Sequence, residues 1–67
     1  MITLRINGET RHYPPEATIS TLLVEMGLTG KRLAVERNGE IVPKSHHAAT
    51  PLAEGDRIEI VIAVGGG

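Results

Sequence analysis

The side chains of this 67-residue chain offer little obvious chemistry. The most distinctive reactive group is the α-carboxyl of Gly67, which ends the stretch IVIAVGGG at residues 60–67. Such a group has a pKa of about 3.3–3.7, so at neutral pH it is ionised and a poor electrophile. To react at its carbon it must be activated, most simply as an acyl-adenylate that a partner enzyme makes from ATP. An amine displacing AMP would then give a conjugate, and a sulfur donor would give a thiocarboxylate. Gly66 and Gly65 lack side chains and adopt backbone conformations closed to other residues, which suits threading a narrow channel. At roughly 3.3 Å per residue, Val64 to Gly67 reach about 13 Å. The competing reading of a glycine run is a frayed end or a spacer. Against the spacer, nothing follows Gly67 in this sequence to be joined, and the run leaves directly from a strongly apolar strand.

The other candidates are weaker. His46 and His47 are neighbours in a loop and should point apart, and His12 falls on a different strand, so no metal site is expected. Cysteine is absent, which excludes disulfide staples, and no Cys/His cluster is spaced for a structural zinc. There is no phosphate loop of the GxxxxGK type, no Ser/His/Asp ordering and no paired carboxylates in a suggestive setting. The chain is therefore expected not to be an enzyme itself. Lys44 and Arg57, or Arg5 with Arg11, are available to meet acidic groups on a partner, though solvated surface charge is the simpler reading of each. A formal net charge of -1, with seven basic and eight acidic residues, argues against a nucleic-acid face or a polybasic membrane anchor. With no signal peptide or apolar span visible, a soluble cytoplasmic protein is expected.

A carboxyl held out in this way needs a stiff body behind it, and the pattern supplies one. Ile2, Leu4 and Ile6 alternate with polar residues, the period of a half-buried strand. Asn7-Gly8 is a two-residue hairpin signal, and residues 9–13 return as a more polar strand near an edge. Pro14-Pro15 ends it. Thr18 is placed to cap a short helix whose apolar stripe is Ile19, Leu22, Leu23 and Met26. Gly27 stops that helix, with Leu28 folding back. Leu33 and Val35 begin a strand that turns at Asn38-Gly39 and returns through residues 40–42. Residues 43–52 read as irregular, and AEGD at 53–56 as a turn. The last strand, 57–64, sets Ile58, Ile60, Ile62 and Val64 on one face. Val61 and Ala63 make its other face apolar too, which suits a central strand; they either form a docking patch or lie under neighbouring side chains. The first and last strands should pair parallel in the middle of a two-layer α+β domain, with the helix across one face. Ile60 and Leu23 should meet at the strand–helix contact.

The order β-β-α-β-β-β with a terminal Gly-Gly resembles the ubiquitin-like (β-grasp) sulfur carriers. AVERNGEIVPKS at 34–45 and TPLAEGDRIEIVIAVGGG at 50–67 are most similar to the thiamine-biosynthesis branch of that family, and the resemblance spans essentially the whole chain. It implies a β-grasp domain over 1–64, a mixed sheet of four to five strands packed on one helix, followed by a flexible glycine tail at 65–67. It also implies that the Gly67 carboxylate is adenylated by an E1-like enzyme that uses ATP and Mg2+, the chain itself binding no cofactor. Sulfur from a cysteine desulfurase or persulfide protein would convert it to a thiocarboxylate, which thiazole synthase would consume. Gly66, Gly65 and Val64 would be the stem entering the partners' channels. Two sibling readings use the same carboxyl: the small subunit of molybdopterin synthase, which is usually somewhat longer, and a ubiquitin-like protein modifier. A third reading is an interaction module with an inert tail.

Overall fold

In the computed structural model of the chain, residues 1–63 are described. Alternation of Ile2, Leu4 and Ile6 with polar residues makes β1 (Ile2–Ile6), and Leu4 and Ile6 are buried as that period requires. Asn7 and Gly8 both take positive φ, 51° and 83°, the twist a two-residue hairpin needs, and β2 (Glu9–Tyr13) returns antiparallel on the edge.

The helix α1 (Ile19–Glu25) has only seven residues, too few to persist without tertiary packing. Its ends are closed instead by side chains and turns. The Thr18 hydroxyl accepts from the Thr21 N–H at 3.3 Å, and the Thr21 hydroxyl accepts from the Thr18 N–H at 3.0 Å. At the other end Gly27, φ 72°, lets its own N–H reach the Val24 carbonyl and the Leu28 N–H reach that of Leu23. Ile19, Leu22 and Leu23 bury one face of the helix, with Met26 and Leu28 packed beside them.

Beyond α1 come β3 (Leu33–Arg37), β4 (Glu40–Val42) and β5 (Arg57–Ile62). The five strands form one sheet in the order β2-β1-β5-β3-β4. β1 and β5 run parallel in its middle, as expected from their composition, and the remaining pairs are antiparallel. Leu4, Ile6, Val35, Ile58 and Ile60 join the helix residues in one aliphatic core, closed by Tyr13, Ala17 and Leu52. The sheet and single α-helix match the expected α+β grasp architecture, and Ile60 and Leu23, expected to meet at the strand–helix contact, both belong to that core.

The irregular stretch expected at 43–52 differs. Residues Lys44–Ala49 form a 3-10 helix, started by the extended backbone of Pro43. It carries His47 inward, 8% exposed, with Nε2 3.0 Å from the Val42 carbonyl, while His46 stays outside. The expectation of two surface histidines therefore holds for one of them.

The second hairpin yields a first prediction. Gly39 sits at φ 88°, beside Asn38 at 53°. A Cβ there would meet nothing within 4 Å, so a substitution is opposed by backbone strain alone. Gly39→Val should cost about 1–3 kcal/mol, read as a lower urea midpoint with unchanged slope.

Candidate functional site

The residues singled out for chemistry, Gly67 with the stem Gly66, Gly65 and Val64, lie outside the described residues. The structure does describe the body from which they continue. β5 is gripped on both sides. On one side β3 pairs with it from Arg37↔Ile58 to Leu33↔Ile62, and the Ala63 N–H then donates to the Arg32 carbonyl at 2.8 Å. On the other side the β1 ladder reaches only Ile6↔Ile58, where the strand gives way to its turn.

Two turn asparagines extend that grip. The Asn7 carboxamide accepts from the Ile60 N–H at 2.7 Å and donates to the Ile60 carbonyl at 3.1 Å, standing in for one more residue of strand. At the start of β5 the Asn38 carboxamide accepts from the Arg57 N–H at 2.9 Å and donates to Asp56 Oδ1 at 3.0 Å. Neither contact was legible from the sequence, where Asn-Gly signals a turn and says nothing of what the asparagine holds. Residue 62 lies beyond both devices, and Ile62, expected on the core face, is 40% exposed because neither β1 nor Asn7 extends past Ile60.

Asp56 anchors the same region. Its carboxylate accepts from Arg37 Nε at 2.8 Å, from Asn38, and from the Ala53 N–H at 2.8 Å. Burial works to raise its pKa, but hydrogen bonds from Arg37, Asn38 and the Ala53 amide outweigh that and hold the carboxyl below its usual value. A depressed carboxylate pKa stabilises the fold at pH values above the unfolded pKa, and that contribution is lost as pH falls through the lower folded value. Asp56→Ala should therefore cost about 2 kcal/mol at pH 7. The gap between variant and parent urea midpoints should shrink as pH drops below about 4. A similar staple ties β2 to α1, where the buried Tyr13 hydroxyl donates to Glu25 Oε1 at 2.6 Å. Burial first, then Glu25, pushes its pKa up to about 12.

The sheet face away from α1 is open along β3, β4 and β5. Val61, paired with Ala34, is 63% exposed, and Ile41, paired with Glu36, is 62% exposed. Ala34 and Ala63 are exposed with them. Of the two readings of Val61 and Ala63, an open patch is therefore the one observed, and Ile41 adds to it. Its signal, an apolar residue opposite Glu36 in a short edge strand, was present but weak.

Among the described residues no three or more His, Cys, Asp or Glu side chains come together. His12 lies against the Thr3 hydroxyl on the β1–β2 hairpin, at 3.1 Å. Of the cations considered for partner contacts, Arg11 faces Glu9 and Glu25 within the chain, and Arg5 donates to the Gly8 carbonyl; Lys44 and Arg57 are exposed. No helix among the described residues is long and apolar enough to cross a membrane.

A five-stranded mixed sheet grasping one helix, with its central strand running out beside an open apolar face, defines a ubiquitin-like β-grasp domain. The model of the ThiS family matches residues 4–67, and the chain belongs to that family. The sulfur carrier protein ThiS of Bacillus subtilis is 40% identical over 65 residues, covering 96% of this chain and 98% of that one. A thiazole synthase of Paramagnetospirillum magneticum is 48% identical over 64 residues, covering 96% of this chain but only 20% of the synthase, so the chain spans a fifth of that relative's length. The crystal structure of a ThiS thiamine biosynthesis protein from Geobacter metallireducens superposes with a TM-score of 0.82 at 26% identity, covering 98% of this chain and all of that one.

Proposed function

We propose that the chain is a cytoplasmic sulfur carrier for thiazole formation in thiamine biosynthesis, a co-substrate of partner enzymes and not a catalyst. The Gly67 carboxylate attacks the α-phosphorus of ATP on an E1-like enzyme and pyrophosphate leaves. The outer sulfur of a persulfide on the donor, a cysteine desulfurase or a persulfide protein, then attacks the acyl carbon and AMP leaves. A second thiol attacks the inner sulfur of the acyl disulfide, so that a disulfide stays on the donor side and the carrier is released. The resulting thiocarboxylate hands its sulfur to thiazole synthase. ATP and Mg2+ belong to the adenylating enzyme. Gly66, Gly65 and Val64 form the stem, and the open face of Ala34, Ile41 and Val61 is where the enzymes dock.

The observation that carries this reading is the family match, which runs through residues 64–67 and thus includes the glycine end. Two further facts support it. A thiazole synthase contains, within a fifth of its length, a stretch 48% identical to this chain. The strand leading to the glycines is also braced from both sides up to Ile60, and by β3 and the Arg32 carbonyl alone from there to Ala63.

The test is reconstitution of the chain with ATP, an adenylating enzyme, a desulfurase and thiazole synthase. Thiazole should form in proportion to the carrier supplied, with no chain attached to lysines of other proteins. Lysine conjugates without thiazole would establish the protein-modifier reading instead.

A further inference from the structure

A cavity of about 480 Å³ opens between the C-terminal end of α1, the loop 27–32 and the 3-10 helix Lys44–Ala49. Its floor is aliphatic: Leu23 belongs to the core, Leu28 and Leu33 pack against the core, and Val24 at the lip is 65% exposed. Its rim is cationic, formed by Lys31, Arg32 and Lys44, and no acidic residue lines it. Among the described residues the ion pairs are made by Arg11 and Arg37, and none by these three. A cavity beside Tyr13 differs, because the Arg11 that lines it already faces Glu25, which also holds Tyr13.

In an apolar floor ringed by cations, water hydrates the rim but not the leucines, and a neutral apolar group alone would cover the leucines but leave the cations unmatched. The cavity is complementary to an aliphatic or aromatic side chain flanked by carboxylates, which would cover the leucines while its charges meet the rim. Each rim pair would be worth little in open solvent, and more once the apolar group has excluded water between them. We propose that this cavity is a docking site for an acidic, apolar-bearing segment of a partner protein. It lies on the helix side of the sheet, apart from the face of Ile41 and Val61. Arg32 is also the residue whose carbonyl holds Ala63, so a segment seated here lies beside the root of the tail. The site adds a charged contact to whatever the open sheet face and the glycines provide.

The experiment uses the full isotope-labelled chain and a capped synthetic peptide alternating glutamate with leucine and phenylalanine, followed by NMR titration at low salt. The peptide should shift the amide signals of Val24, Thr29, Lys31, Leu33 and Lys44. Its glutamine counterpart should bind at least about tenfold more weakly, and 0.5 M salt, roughly a Debye length of 4–5 Å, should produce a similar loss for the acidic peptide. The combined K31E, R32E and K44E variant should lose the binding, with signals remote from the cavity unchanged. Shifts on the Ile41 and Val61 face instead, equal binding by the glutamine peptide, or no shifts at millimolar peptide would overturn the proposal. The titration needs neither ATP nor the tail carboxylate, so its failure would leave the sulfur-carrier reading standing.

Discussion

Deleting Gly67 should abolish thiazole formation in the reconstituted system while leaving the urea midpoint where it was. The shortened chain still ends in a glycine carboxylate, but that group is withdrawn by about 3.3 Å. A misplacement of even 1 Å at a reacting centre typically costs about 100-fold, so the loss should be at least that large. One residue added after Gly67 should be equally damaging, since it replaces the acid by an amide that cannot be adenylated. An extension before Met1 should be tolerated. β1 runs parallel to β5 with Arg5 opposite Arg57, so the exposed N-terminus lies at the opposite end of the sheet from Ile62 and Ala63. If a C-terminally extended chain still turned over, the carboxyl chemistry would be wrong and the inert-tail module would be the better account.

The second large effect is on the body. Ile60 is in the middle of the central strand, 6% exposed, in the same core as Leu23 and Val35. Ile60→Ala removes its outer carbons and leaves a void that a core with no Phe or Trp has few large side chains to refill. The expected cost is about 2–5 kcal/mol. A domain this small has about 5 kcal/mol to lose, so the variant should keep little more than half of its stability at best, and at the upper end of that range about half of the molecules should be unfolded. Ile60 is also the residue whose backbone Asn7 clasps, so sulfur transfer should fall with the folded fraction. An urea midpoint near the parent's would show that the strand is held by something other than this core.

How much of this was legible in the sequence follows from the range of the forces involved. Local signals were clear: alternation in β1, the Asn-Gly turns, the Thr18 cap and the Gly27 stop each act within a few residues and were read correctly. The parallel pairing of β1 with β5 followed from their being the most apolar strands. Contacts between residues distant in sequence were hidden. Nothing local marks Asp56 as the acceptor for Arg37 and Asn38, or Asn7 as the clasp on Ile60, 53 positions away. The 3-10 helix is not legible because its residues KSHHAA carry no apolar period, and nothing local signals that His47 turns inward to meet the Val42 carbonyl. For the candidate site the position is reversed. Gly67 and its stem were read from the sequence and lie beyond the described residues, whereas the strand that must hold them out is what the structure supplies.

The central claim is that sulfur is carried on the terminal carboxyl of Gly67. It is tested most directly by fragment mass spectrometry of the chain after incubation with ATP, the adenylating enzyme and the sulfur donor. The account predicts one oxygen exchanged for sulfur, confined to the C-terminal fragment and reversed when thiazole synthase turns over. A preparation that supports thiazole formation while that fragment keeps both its oxygens would contradict it.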